Sequence, residues 1–274
     1  MWRETTEPML QSMRIRILTV AVVAVGACTA AALAGPPQQA TIQIDQQNAG
    51  IDGVTGSGWT TVTIKADRAV GVALAQLKPG KDTGRFANAV DDMSLGQISA
   101  WGKWVASGNS SRGRPYVTTL ELPPAWYSVV VFEKNRQYQA GGFTVKDTPT
   151  GADAATAAAT VDMRDYRFGG STTLPANGAI KVLNSGHRLH ELVLGRVKGK
   201  PSDAVKLAKQ GKFGKIKFAG RPQGLVGPVS PGATNVVQFN GAKGRYLLFC
   251  AYGDRQSRNK PHTALGMTRV VTVQ

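Results

Sequence analysis

The sequence predicts an all-β protein made of two tandem Greek-key β-sandwiches, each with a short helical insertion. Three observations lead to this prediction. Short runs rich in Val, Thr and Ile alternate apolar with polar residues and are bounded by Gly, Pro, Asn and Asp, as strands are. The 274 residues include 32 glycines and 14 prolines, with few stretches of helical period. The strand pattern also occurs twice, in halves whose length suits a β-sandwich.

The first 34 residues are predicted to be a signal peptide. Arg14 and Arg16 precede a short apolar run, and the small residues ALA end at Ala34. This order is typical of a secretory signal that is cleaved after Ala34. The letters VGAC, which end at Cys28, also resemble a bacterial lipobox, and cleavage there would leave Cys28 lipidated. Both alternatives predict an exported protein, secreted, periplasmic or on the cell surface, with membrane attachment only through a lipid on Cys28.

A low-complexity stretch divides the remaining chain. Residues 147–159 read DTPTGADAATAAA, which is typical of a linker between domains at 40–146 and 160–274. TVTI followed by VGVALAQLKPG in the first domain parallels IKVL followed by HELVLGRVKG in the second, at an offset of 120 residues. A segment predicted to be helical follows in each: KDTGRFANAVDDM in the first domain and KPSDAVKLAKQGK in the second. The halves therefore read as two copies of one scaffold.

Four side chains of the second half form a candidate metal site. They are His190, Cys250, His262 and Met267, from a chain with three histidines and two cysteines. One thiolate, two imidazoles and a thioether are the ligands of a type-1 copper site. Each has a plainer alternative: Cys250 and Met267 could be core residues, and His190 a turn or capping residue. His187 is the rival for the upstream imidazole.

The second half resembles the cupredoxins, the family of plastocyanin and azurin. The resemblance runs through VDMRDYRFGGSTTLPANGAIKVLNSGHRLHEL, SPGATNVVQF, GRYLLFC, PHTALGM and RVVTV. It implies copper held by His190, Cys250 and His262 with Met267 as the axial ligand, and Asn184 as a group supporting them. The first half resembles the same fold without the site, since Val70 and Val131 stand where His190 and Cys250 would.

The resemblance implies single-electron transfer by an exported copper protein. Copper storage or delivery would use the same residues, and a metal-free binding module is a further alternative. Multicopper oxidases and copper nitrite reductases need more histidines than this chain has, so an enzyme is not expected. No G-x-S-x-G motif points to a hydrolase either.

Positive charge is concentrated in the second half. Residues 40–146 hold 11 Lys and Arg against 8 Asp and Glu, whereas residues 156–274 hold 19 against 5. Much of the excess lies in one basic segment, 198–221, which contains Lys198, Lys200, Lys206, Lys209, Lys212, Lys215, Lys217 and Arg221. Such a run is usually a solvated face. The more specific hypothesis is docking of an acidic redox partner, and nucleic acid is not expected because interleaved aromatic residues are missing.

Overall fold

The computed structural model describes residues 35–134 and 136–274 of the chain. The predicted signal peptide, with Ala34 and Cys28, lies outside these residues. Both predicted helical insertions are confirmed, and strands make up most of the rest. Among the described residues, no helix is long and apolar enough to cross a membrane.

The first half contains eight strands, with one α-helix and one 3-10 helix between the fourth and fifth. Their bounds are β1 Gln38–Asp45, β2 Asn48–Asp52, β3 Gly58–Ala66, β4 Val70–Leu77, α1 Thr83–Val90, η1 Leu95–Ala100, β5 Gly102–Ser110, β6 Tyr116–Leu122, β7 Ala125–Phe132 and β8 Gln137–Val145.

The second half contains nine strands, one α-helix and two 3-10 helices. Their bounds are β9 Ala159–Arg164, β10 Arg167–Gly170, β11 Thr173–Leu174, β12 Asn177–Asn184, β13 His190–Arg196, α2 Pro201–Lys209, η2 Phe213–Lys215, β14 Gln223–Val229, β15 Thr234–Asn240, β16 Gly244–Phe249, η3 His262–Leu265 and β17 Thr268–Val273.

The two halves share their main strand pairings, and only β11, which pairs with β17, has no counterpart among the described strands of the first half. β1 runs parallel to β3 as β9 does to β12, and β3 pairs with β6 as β12 does with β15. In the opposing sheets, β4 lies between β5 and β7, and β13 lies between β14 and β16. The helix follows β4 in one half and β13 in the other. The repeat read from the sequence is therefore a repeat of topology.

Each half has its own apolar core between its two sheets. Alternate residues of the strands are buried, as Ile42 and Ile44 are in β1 and Leu192 and Leu194 are in β13. Full burial of such side chains stabilises the fold by roughly 1.5–3 kcal/mol each. Val70 and Val131 belong to the core of the first half, so apolar packing occupies the positions that correspond to His190 and Cys250.

One sheet runs through both halves. Its eight strands have the order β10-β9-β12-β15-β6-β3-β1-β2, and β15 pairs with β6 through Val236 and Thr119. Beside this pair, the fully buried Asn235 accepts a hydrogen bond from Thr118 Oγ1 at 3.0 Å and donates one to the Val105 carbonyl at 3.0 Å. The two sandwiches are thus joined by one bridging residue pair and by buried side-chain hydrogen bonds.

Candidate metal centre

Three predicted ligands meet inside the second half. The donor atoms of His190, Cys250 and His262 all lie within 4.8 Å of one another, and no side chain of the three is exposed. His190 Nδ1 lies 3.1 Å from His262 Nδ1, and Cys250 Sγ lies 3.7 Å from the same His262 nitrogen. Both imidazoles therefore turn Nδ1 towards the thiol.

The ends of the strands place these side chains. His190 is the first residue of β13, Cys250 directly follows β16, and His262 begins η3. β13 and β16 are neighbours in the five-stranded sheet, so their residues lie side by side at one end of the sandwich. η3 then ends at Gly266 with φ 110°, a left-handed conformation that glycine adopts without a Cβ penalty.

The loop that carries His262 is fastened to the strand that carries Cys250. The His262 N–H donates to the Tyr252 carbonyl at 2.8 Å, and the Thr263 N–H donates to the Cys250 carbonyl at 3.0 Å. The Thr263 hydroxyl donates to the same Cys250 carbonyl. The eleven residues between Cys250 and His262 thus form a loop whose two ends are bonded together, which fixes the imidazole against the thiol.

Met267 lies beside the cluster in the chain and in the core. Its side chain is fully buried in the same apolar cluster as Cys250. The last pair of the β16–β17 ladder joins Phe249 to Thr268, so Cys250 and Met267 stand one residue beyond it on neighbouring strands. The Met267 N–H donates to the His262 carbonyl at 3.0 Å. The role of axial ligand remains a prediction.

Each imidazole faces a carboxylate with its other nitrogen. His190 Nε2 lies 3.1 Å from Asp165 Oδ1, and His262 Nε2 lies 3.4 Å from Asp254 Oδ2. The second contact lacks hydrogen-bond geometry, and His262 Nε2 is otherwise without a partner in the part of the chain described. Metal-binding histidines usually contact a carboxylate or carbonyl in this way, which fixes the tautomer and the ring orientation. The ring orientations thus fit Nδ1 as the ligand atom of both residues.

Burial sets the protonation of the cluster. It lowers the pKa of His190 to about 4, more than the hydrogen bond with Asp165 raises it. Burial likewise lowers the pKa of His262 against the opposing effect of Asp254. It raises the pKa of the Cys250 thiol to about 12, and the nearby Glu191 carboxylate adds to this effect. The metal-free cluster at neutral pH is two neutral imidazoles and a protonated thiol.

The carboxylates remain charged beside these rings. Burial alone would raise the pKa of Asp165, but hydrogen bonds from the His187 N–H and the His190 ring hold it below its usual value. Burial also opposes ionisation of Asp254, whose pKa is lowered by the Ser257 N–H and by Arg188. Two negative charges are therefore available to stabilise positive charge that a metal ion would place on the imidazoles.

Asn184 supports the loop before His190. Its side chain is fully buried, donates to the Arg188 carbonyl at 2.7 Å and the Val229 carbonyl at 2.9 Å, and accepts from the Gly186 N–H at 3.1 Å. A Cβ on Gly186 would come within 2.6 Å of Asp165 Oδ1 and 2.9 Å of His190 Nε2, so only glycine fits there. His187, the rival ligand, lies outside the cluster: its side chain is 92% exposed, and its Nδ1 lies 3.1 Å from Asp165 Oδ2.

Two tyrosines and an ion pair cover His262. Tyr166 and Tyr252 pack edge-on against the imidazole, with ring centroids 5.3 and 5.6 Å away. Arg188 lies over the Tyr166 ring and forms an ion pair with Asp254 at 3.2 Å. Tyr166 adopts φ 60°, which costs a non-glycine residue free energy. Outside this cover lies a cleft of about 860 Å³, lined by Ser94 and Gln97 of the first half and by Arg188, Tyr252 and Asp254.

Sequence reasoning missed the residues around the ligands. Asp165, Asp254, Tyr166 and Tyr252 carry no pattern that separates them from surface residues. The one available signal was that Asp165 and Asp254 are two of only five acidic residues in a strongly basic half.

A comparison with protein-family models finds no match, and no curated protein matches the chain. Solved structures do match. An auracyanin from the photosynthetic bacterium Roseiflexus castenholzii is 21% identical over 42% of this chain and 94% of its own, with a TM-score of 0.29. Auracyanin A from Chloroflexus aurantiacus, described as a "blue" copper protein, is 19% identical over 42% of this chain and 98% of its own, with a TM-score of 0.26.

The fold itself is all-β, with the strands of each half in two opposing sheets. A copper-containing nitrite reductase from Thermus scotoductus also matches, at 10% identity over 87% of this chain and 61% of its own, with a TM-score of 0.23. The neighbours thus include small blue copper proteins and larger copper enzymes. The TM-scores are low, so the chemistry of this chain rests on the residues of the cluster. Thiolate and imidazole donors that converge in a dry core, each ring backed by a carboxylate, fit a copper ion.

Proposed function

We propose that the protein is an exported cupredoxin that holds one copper ion of the type-1 class and transfers single electrons. The observation that carries this proposal is the convergence of His190, Cys250 and His262 within 4.8 Å in a fully buried site. Thiolate favours Cu(I) and imidazole accepts both oxidation states, so this donor set suits an ion that alternates between them. Copper supplies the one-electron chemistry, and the chain supplies the fixed donors.

Burial favours electron transfer over copper storage or delivery. The three donors have no exposed surface, and backbone hydrogen bonds join the His262 loop to Cys250. A donor set held this way changes little between oxidation states, which is what rapid electron transfer requires. Exchange of copper with another protein would require the cover of Tyr166, Tyr252 and the Arg188–Asp254 pair to open.

The histidine count supports an electron carrier rather than an oxidase. Oxygen or nitrite reduction at copper enzymes uses further histidine-bound centres, and the chain contains only His187 besides the two in the cluster. Export is proposed from the leader: mass spectrometry of the mature N-terminus distinguishes cleavage after Ala34 from a lipidated Cys28.

The direct test is to titrate Cu(II) into the purified protein and record the visible spectrum. We expect one equivalent to produce intense thiolate-to-copper absorption, which Cys250→Ser abolishes. Reversible one-electron voltammetry with slow loss of copper to a chelator would support electron transfer. Rapid Cu(I) transfer to the chelator would instead identify a storage or delivery protein, and unchanged binding in Cys250→Ser would refute the site.

A further inference from the structure

The basic segment 198–221 forms a continuous charged surface. All eight of its Lys and Arg side chains are exposed, and none forms an ion pair with a carboxylate in the described residues. The segment contains a single acidic residue, Asp203, at the start of α2. Lysines elsewhere, such as Lys65 and Lys103, also lack an ion pair in the described residues, but they are far apart in the chain. The charge of this surface is therefore not neutralised within the described chain.

This surface lies against the elements that carry the copper ligands. α2 packs on β16, β17 and η3, which place Cys250, Met267 and His262. On the outer face of the sheet, Phe249 is covered by Phe213 and Phe218, with ring centroids 5.3 and 6.2 Å away. Cys250 follows Phe249 directly. One layer of aromatic side chains thus separates the basic segment from the strand that carries the thiolate.

An apolar side chain stands beside the charges. Leu265 in η3 is 40% exposed and is the only exposed large hydrophobic side chain among the described residues. η3 contacts α2, so Leu265 lies next to the basic segment and two residues from Met267. Protein interfaces often combine a small apolar contact with surrounding charge of one sign. The charge speeds the encounter with an oppositely charged partner, and the apolar contact stabilises the complex.

We infer that the basic segment with Leu265 is the surface on which an acidic electron-transfer protein docks. The inference rests on the proposed function, because it assigns the partner that exchanges electrons with Cys250-bound copper. Acidic groups on the partner would meet the eight cations.

The other polyanions fit this surface less well. An interfacial helix needs an exposed apolar face, whereas the apolar side chains of α2 face inward onto Phe249 and its neighbours. Single-stranded nucleic acid needs aromatic rings on which bases stack, whereas Phe213 and Phe218 are half-buried against Phe249. A folded acidic protein needs only the exposed charges and Leu265.

The kinetic test reverses three charges. Lys206→Glu/Lys209→Glu/Lys212→Glu is compared with Lys65→Glu/Lys103→Glu/Lys146→Glu, which makes the same change in net charge on exposed lysines of the first half. Hexacyanoferrate(II) gives one electron to the Cu(II) protein and becomes hexacyanoferrate(III). The rate of this reaction is measured by stopped-flow absorption. We expect the first triple variant to slow this reaction roughly tenfold at low salt, and to speed reduction by the cation hexaammineruthenium(II). Equal rates in the two triple variants would overturn the inference.

The binding test needs no copper. Poly-L-glutamate is titrated into the metal-free protein while backbone amide shifts are recorded by NMR. We expect shifts to concentrate in residues 198–221 and 262–266, and to vanish in the first triple variant but not in the second. Tighter binding of phosphatidylglycerol vesicles or duplex DNA than of poly-L-glutamate at equal salt would overturn the assignment to an acidic protein. Failure to bind copper refutes the proposed function alone, since this binding result is independent of it.

Discussion

His190 Nδ1 and His262 Nδ1 lie 3.1 Å apart, although the two residues are 72 positions apart in the chain. We expect His190→Gln to weaken copper binding by more than about 100-fold. Loss of a residue that only supports a ligand typically weakens metal binding by about 10–100-fold, so loss of a ligand should exceed that range. His187→Gln is the matched control, because that side chain is 92% exposed and contacts Asp165 rather than the donor atoms, so we expect a much smaller loss. Competition with a chelator measures both. Equal losses in the two variants would contradict the ligand assignment.

The carboxylates of Asp165 and Asp254, which contact the imidazoles, should affect copper affinity almost as strongly as the ligands do. Asp165→Asn and Asp254→Asn keep the shape of the side chain and remove its charge. We expect each to lower copper affinity by about 10–100-fold, measured by the same competition. Asp203→Asn, at an exposed carboxylate of α2, should leave affinity unchanged. Wild-type affinity in the first two variants would mean that the contacts only position loops.

Copper affinity should rise with pH, because copper displaces the Cys250 proton. The pKa of the metal-free thiol is about 12, whereas the pKa of His190 is about 4. Between pH 5 and 8 the thiol is therefore protonated and His190 neutral, and binding releases about one proton. Chelator competition at several pH values should show about a tenfold gain in affinity per pH unit. Affinity independent of pH in this range would show that the bound thiol does not ionise.

Met267→Leu tests the axial position. The substitution nearly conserves volume, so we expect it to cost less than about 1.5 kcal/mol of unfolding free energy. If the thioether is a weak axial ligand, copper stays bound by the other three residues and the reduction potential changes, because the axial ligand tunes it. Voltammetry measures the change. Met163→Leu, also fully buried in this core, is the control that should leave the potential unaltered.

Asn235 should make the two halves unfold together. Asn235→Ala leaves its buried partners Thr118 Oγ1 and the Val105 carbonyl without a hydrogen bond, and should cost about 3 kcal/mol. Tryptophan fluorescence reports on the first half and copper absorption on the second, since all tryptophans of residues 35–274 precede residue 127. Both transitions should shift equally. Asn240→Ala, at an exposed position of β15, should change neither, and a shift of one transition alone would show independent halves.

Local pattern predicted the strands, the helical insertions and the four candidate ligands. Tyr246, Leu248 and Cys250 alternate along the chain and share one core, as alternating apolar residues of a strand do. The pairing of β15 with β6 depends on which strand edges meet, and no local pattern encodes that choice. Nor did sequence predict that His262 would be fully covered, because Tyr166, Arg188 and Asp254 come from three separate loops. The ring partners Asp165 and Asp254 depend on the same tertiary arrangement.

The shared eight-stranded sheet also bears on solubility. β6 lies beside β15 and pairs with it at Val236, and without the first half that edge of β15 would be open to solvent. Bare strand edges recruit strands from other molecules and lead to aggregation. A fragment cut within residues 147–158 would therefore keep every copper ligand and still tend to self-associate. In the intact chain, we expect the first half to cover this edge and so to lower the tendency of the second half to aggregate.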